Sequence, residues 1–206
     1  MPELPMTGCN RDGQRRPLVA FDLDDTLNGL RFGMHRALKR RGFFLPIAQW
    51  HTFDLHSTVG MSVQDFQSML IEDRLLEEAA IEPQGAAAIR ELLEFGFDVE
   101  VWTARGFHPR ASKITSASLG RHGLGHLPVV LIEHGRSKRE LLAQRTQQRP
   151  LHAFIDDNGN HVRDIAAAAP GCQCFLIDRP WNRSHHGLRR VRSARDAANA
   201  LLDAAA

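Results

Sequence analysis

Several features that would settle a protein's class outright are missing from this sequence. No apolar run approaches the roughly 20 residues of a membrane-spanning helix, so a membrane partner is not expected. Residues 1–16 hold no apolar segment of signal-peptide type and read as a flexible polar tail before the first strand. Charge of either sign is not in excess: 26 Lys and Arg against 24 Asp and Glu leave a formal +2. That balance permits an anionic substrate but speaks against a stable nucleic-acid complex. Cysteine is sparse and odd in number, at Cys9, Cys172 and Cys174. Such a set suits a reducing compartment better than a disulfide scaffold. Cys172 and Cys174 point to one face of a strand-like run and read as core, not as a metal or redox pair. The histidines are scattered, with no HExxH pattern. There is no internal repeat, and no low-complexity tract beyond two alanine runs.

What is present is an alternation. The chain has 206 residues, 43% hydrophobic and 24% charged, enough for one domain with a sizeable core, or a core with a small insert. Apolar runs at 17–23, 97–103, 128–133, 151–156 and 172–178 have strand character. They are continuous rather than alternating, as in parallel strands covered on both faces. Helical stretches lie between them. One opens near Pro83 and ends at Gly96, with Ile89, Leu92 and Leu93 on one stripe. Others span 108–123, 137–148 with Ser137 as N-cap, 159–171, and 193–206. Asn160 is an alternative helix cap after the fourth strand. The alternation predicts an α/β fold, a Rossmann-like doubly wound parallel sheet of about five strands.

Residues 28–82 break the rhythm. They hold two helical stretches, 31–43 and 62–79, the second opening on a capping-box-like Ser62 and Asp65. An aromatic- and histidine-rich connector joins them. The organisation expected is a core of 17–27 and 83–206, with a helical insert at 28–82.

The strand ends collect polar residues. "VAFDLDDTL" puts Asp22, Asp24 and Asp25 within four positions of one another after an apolar run. Crowded carboxylates repel and are costly to desolvate, so folding alone does not call for them. Strand two ends in Thr103 and Arg105, the helix after strand three begins at Ser137 and Lys138, and strand four ends in Asp156, Asp157 and Asn158. In open α/β sheets ligands bind at the carboxyl ends of the strands, so these groups converge.

The pattern resembles the phosphatase branch of the haloacid dehalogenase superfamily. Its motifs occur in order: the Asp22, Asp24, Thr26 triplet of "DLDDT", Thr103 after an apolar strand, Lys138 at a helix start, and the acidic pair Asp156 and Asp157. The match spans about residues 18–178. The resemblance implies Mg²⁺ as cofactor, held by Asp22, Asp156, the backbone carbonyl of Asp24, and Asp157 directly or through water. It implies Asp22 as nucleophile and Asp24 as the acid that protonates the leaving group and then activates water. Asp24 needs a raised pKa for this, and neighbouring negative charge pushes that way. Thr103 and Lys138 are implied to hold the phosphoryl group. An aspartate at position 24 favours phosphatases and phosphomutases over dehalogenases and transport ATPases.

The same resemblance makes 28–82 a small helical cap, similar to that of the 5'(3')-deoxyribonucleotidases. Phe43, Phe44, Trp50 and Phe53 then either stack on a base or hold the cap together. After strand five, Arg179, Trp181, Asn182 and Arg183 are similar to nucleotidase-like endings and are either anion-binding or a polar loop around a packed tryptophan. Arg105 is an equally open substrate contact. The leading expectation is a Mg²⁺-dependent phosphatase of a small phosphorylated substrate, with a nucleotide foremost and a homodimer allowed. A nucleic-acid end phosphatase, weakly favoured by the basic stretch 183–195, and a catalytically silent phosphate sensor are the alternatives.

Overall fold

The structure, a computed structural model, describes residues 15–133, 136–145 and 150–205. Most of the expected tail, Cys9 and the end of the 137–148 helical stretch lie outside the described residues. The five apolar runs form β1 (Leu18–Phe21), β2 (Asp98–Thr103), β3 (Val129–Leu131), β4 (Leu151–Asp156) and β5 (Gln173–Ile177). A sixth strand, β6 (Arg190–Val191), corrects the expected count. It lies in the basic stretch with no apolar run to announce it, and pairing with Leu176 and Ile177 makes it a strand.

All neighbours are parallel, in the order β3-β2-β1-β4-β5-β6. The chain builds outward from β1 in one direction and from β4 in the other. The β1/β4 boundary is therefore the switch point, where doubly wound sheets open a crevice.

Burial on both faces accounts for the continuous apolar runs. In β1, Val19 and Phe21 face one core cluster and Leu18 and Ala20 the other. The first face is covered by α5 (Pro83–Phe95), α6 (Ala111–Gly120) and α9 (Ala194–Ala205). The second is covered by α7 (Lys138–Arg145) and α8 (Gly159–Ala168), through Leu142, Val162 and Ile165. Each fully buried Val, Leu or Phe contributes about 1.5–3 kcal/mol over its exposed state. Helix α5 starts with Pro83 in its first turn and stops at Gly96, whose φ of 108° only glycine adopts without strain.

Between β1 and α5 lie α1 (Leu30–Arg40), α2 (Leu55–Thr58), α3 (Val63–Glu72) and α4 (Leu75–Glu78). Ser62 caps α3 as its pattern predicts, its Oγ accepting from the Asp65 N–H at 3.0 Å. The 62–79 stretch is broken in two at Arg74, where φ is 53°. These helices share a core of their own around Leu38, Trp50, Leu55, Met69 and Leu76, to which Ile114 and Trp181 are added from the sheet side. An antiparallel bridge between Asn28 and Ile81 ties the two ends of the insert together. No helix among the described residues is long and apolar enough to cross a membrane.

Candidate active site

The polar strand ends do converge. Asp22 follows β1, and its N–H donates to the Ile155 carbonyl of β4, so it sits on the switch point. Lys138 opens α7 and is fully buried, its Nζ donating to Asp22 Oδ1 and, at 2.7 Å, to Asp156 Oδ2. Carboxylate oxygens of Asp22, Asp156 and Asp157 all lie within 4.8 Å of one another. Such an all-oxygen donor set fits a hard divalent cation. Thr103, at the end of β2, is buried, and its Oγ1 has no hydrogen-bond partner among the described residues. An unmatched buried hydroxyl is costly unless a ligand supplies the missing bond.

The three crowded carboxylates of "DLDDT" each meet a separate cation. Asp22 meets Lys138. Asp24 meets Arg105, whose Nε donates to Oδ2 at 2.7 Å while Nη2 donates to Oδ1. Asp25 accepts from Arg31, from Nη1 at 3.0 Å and from the backbone N–H at 2.9 Å. Asp25 is left-handed, with φ of 59°, a conformation aspartate tolerates better than most side chains. Three arms hold it there: Arg31 on the carboxylate, Asn28 Oδ1 accepting from its N–H, and Arg179 donating to its carbonyl.

These pairings set the protonation states. Burial pushes Asp22 up to about 7 against the pull of Lys138, with the charges of Asp156 and Asp24 adding to the rise. Burial would also raise Asp156, but Lys138 and His161 hold it below the usual range. Burial and the charges of Asp156 and Asp22 push Asp157 well above that range. A divalent cation among the three would offset this repulsion. For Asp24 the expectation was a raised value, and the structure shows the reverse. Burial raises it, but the Arg105 guanidinium and the Asn28 amide overcome this and hold it down. The neighbouring aspartates alone would raise it; Arg105, an open substrate contact on the sequence, pairs with Asp24 instead.

The remaining expected contacts are placed unevenly. Trp181 is buried, donating from Nε1 to Asp157 Oδ2 at 2.8 Å and lying 6.0 Å from the Trp50 ring. Trp50 is 2% exposed and donates to the Leu45 carbonyl, so most of it is insert core. Phe53 is half exposed at the cavity mouth. Arg179 is not among the residues lining the cavity and instead binds backbone carbonyls of Asp25 and Asp178. The cap of α8 is Asn158 rather than Asn160, its Oδ1 accepting from the Asn160 and His161 N–H groups.

Two contributors escaped the sequence reading. His161 lies 3.2 Å from Asp156 Oδ2, in the first turn of α8 and five residues on from Asp156. Asn28 is fully buried, donates to Asp24 Oδ1, and accepts from the Asp25 and Leu30 N–H groups. The only signal for either was proximity to a motif.

No protein-family model matches the sequence, and no curated protein sequence matches it significantly. Solved structures do match. A haloacid dehalogenase (HAD) family hydrolase from Deinococcus radiodurans R1, with bound phosphate and sodium, superposes at a TM-score of 0.60 and 17% identity. The superposition covers 92% of this chain and 96% of that one. A D,D-heptose 1,7-bisphosphate phosphatase from Burkholderia thailandensis gives 0.52 and 16% identity over 91% of this chain and 99% of its own. The corresponding phosphatase from B. bronchiseptica, complexed with magnesium and phosphate, gives 0.52 and 14% identity over 91% and 99%. The fold of this chain is thus that of the haloacid dehalogenase-like hydrolases and phosphatases. Its charged strand ends occupy the carboxyl edge of that fold.

Proposed function

We propose that the chain is a Mg²⁺-dependent phosphomonoester hydrolase that works through an aspartyl-phosphate on Asp22. The observation that carries this is the buried Asp22–Lys138–Asp156 array beside the unpartnered Thr103 hydroxyl. It supplies a nucleophile, a fixed cation and a free donor at one point of the sheet edge. Asp22, Asp156 and Asp157, with the Asp24 carbonyl, are the groups that would hold the ion. Bound there, Mg²⁺ would neutralise charge on the phosphoryl oxygens and between them and the carboxylates.

In the first step an Asp22 carboxylate oxygen forms a bond to phosphorus as the bond to the leaving oxygen breaks. Lys138 keeps Asp22 oriented, and the Thr103 hydroxyl donates to a phosphoryl oxygen. Positioning and charge matter most, because the transition state of phosphoryl transfer is loose. Asp24 delivers a proton to the departing alkoxide. In the second step Asp24 takes a proton from the water that attacks the aspartyl-phosphate, releasing inorganic phosphate and restoring Asp22. The Arg105 fork keeps Asp24 ionised, which suits this second, basic role. The first role requires that the fork loosen once substrate enters and that Asp24 first take up a proton, from solvent or from a protonated phosphoryl oxygen of the substrate.

The insert at 28–82 acts as cap over the 17–27 and 83–206 core in this reading, and a nucleoside monophosphate is the foremost substrate. The nucleic-acid-end alternative loses ground, because two of the five arginines of 183–195 are already closely paired with an acid: Arg190 with Asp178, and Arg195 with Glu91. Free Cys172 and Cys174 suit a cytoplasmic setting. The test is phosphate release from 5'- and 3'-nucleotides, their deoxy forms, sugar phosphates and phosphoserine. Activity should stop in EDTA and return with Mg²⁺. Full turnover in chelator removes the metal scheme, and no turnover of any monoester removes the enzyme.

A further inference from the structure

The cavity above the carboxylates has a volume of about 580 Å³, within the usual range for small-molecule sites. Its floor is the charged sheet edge. The insert side of its lining is mainly apolar, with Met34, Leu55, Val63, Phe66 and Leu70, and Phe107 from the core completes it. Met34, Val63, Phe66 and Phe107 are only half-buried, and all four line the cavity.

The buried cations around this space are already engaged. Arg105 grips Asp24. Lys138 lies behind Asp22 and Asp156. Arg136 is exposed at the rim, 3.4 Å from Glu140. The other charged side chains near the mouth, Asp54 and Glu133, are acidic and exposed. His161 faces Asp156, and His56 lies edge-on to Phe66 at 6.3 Å. Among the described residues, the insert contributes no arginine or lysine to the cavity lining that could meet a second anionic group. Burying an anion there without a partner is strongly disfavoured. Gln67, half-buried in the same wall, offers an amide donor and acceptor to a neutral polar edge.

We infer that the organic part of the phosphomonoester is uncharged and presents an apolar or aromatic face, a nucleoside-like or aryl group, because the apolar insert wall of Met34, Phe66 and Leu70 stands opposite the carboxylate floor with no free cation beside it. This rests on the phosphohydrolase reading and narrows it. It sets the chain apart from the heptose bisphosphate phosphatases it resembles in fold, whose named substrate carries a second phosphate.

Affinity and turnover separate the two readings. Asp22→Asn protein in Mg²⁺ is titrated calorimetrically with inorganic phosphate, 1-naphthyl phosphate, a nucleoside 5'-monophosphate, fructose 1,6-bisphosphate and phosphoglycolate. Naphthyl phosphate and the nucleotide should bind at least about tenfold more tightly than inorganic phosphate, the gain expected from burying a few apolar groups. The bisphosphate and phosphoglycolate should show no such gain. Phe66→Asp should lower the naphthyl-to-inorganic-phosphate affinity ratio at least about tenfold, and Phe66→Leu should keep it within about threefold. Equal or tighter binding of the bisphosphate or phosphoglycolate overturns the inference, as does binding of none of the organic phosphates. So does a ratio unmoved by Phe66→Asp in protein that still melts cooperatively. Turnover by the unaltered chain is scored separately. Absence of turnover with the predicted order of affinities breaks the catalytic reading and leaves the assignment of the wall standing.

Discussion

The floor and the far wall of the cavity are built from opposite materials. On the floor, Asp22, Asp24, Asp25 and Asp156 each lie against a cation, and Lys138 and Arg105 are 1% exposed. The wall is held by apolar packing around Trp50, Met69 and Leu76, and the Arg40 and Arg41 pairs with Asp73 stand on its outer side. Buried charges must be matched one by one, since an unmatched one costs several kcal/mol. Apolar contacts tolerate exchange for side chains of similar size. On the proposed function the floor therefore specifies the reaction, and the wall specifies a shape. Mutations on the floor should act abruptly, and those on the wall gradually.

The largest effect should come from Asp22→Asn. The two side chains are nearly isosteric, but the amide is no nucleophile, so phosphate release should fall by about 10³-fold or more. The melting temperature should hold or rise, because one of the crowded carboxylates is gone. Phosphate release at an unchanged rate would remove Asp22 from the mechanism. Lys138→Met comes next and tests the floor as structure. It strands Asp22 and Asp156 without their buried cation, and about 3–5 kcal/mol of stability should be lost. Urea unfolding measures this. A loss below about 1 kcal/mol, the size expected of a surface pair, would mean that the floor does not depend on matched charge.

The same contrast accounts for what the sequence disclosed. Asp22, Thr103, Lys138 and Asp156 were legible because polar residues at successive strand ends of a parallel sheet must meet at one edge. Four of the five expected strands were legible because β1, β2, β4 and β5 are buried on both faces, and β3 because its half-buried Val129 and Val130 pack against the two core clusters. Strand β6 was not, since its two residues become a strand only by pairing with β5. The fate of Arg105 was hidden because an arginine beside a motif threonine serves equally to bind substrate or to pair with Asp24. Only the fold brings positions 24 and 105 together. Phe66 and Leu70 were invisible as a wall, since apolar residues that line a cavity have the same spacing as those that fill a core.

Trp181 joins the two regions, and its substitution sharpens the comparison. Its indole donates to Asp157 on the floor while its ring lies against Trp50 in the insert. Trp181→Phe keeps an aromatic ring and deletes the donor. Partners that orient a metal-binding carboxylate typically alter metal affinity 10–100-fold when removed, and the low end, about tenfold weaker Mg²⁺ binding, is expected here. Calorimetric titration with Mg²⁺ reads it without turnover. An unchanged affinity together with a lowered melting temperature would reduce Trp181 to a packing residue.

The smallest effect should be at Asp73, where the insert has an ion pair of its own. Arg40 and Arg41 donate to its carboxylate at 2.7 and 2.6 Å, as closely as Lys138 approaches Asp156. The difference is solvent: the side chains of Arg40, Arg41 and Asp73 are 58, 30 and 19% exposed. Asp73→Asn should therefore cost only about 0.5 kcal/mol, a tenth of the upper figure for Lys138→Met. Hydrogen bonding by Arg41 leads the causes that hold the Asp73 carboxyl below its usual range. A carboxyl depressed in the folded state adds stability above its unfolded pKa and loses it as pH falls through the folded value. The gap in urea stability between the unaltered chain and Asp73→Asn should thus be full at neutral pH and close below about pH 4. A gap of several kcal/mol at neutral pH would show that the insert, too, depends on matched charge, and the contrast between floor and wall would then fail.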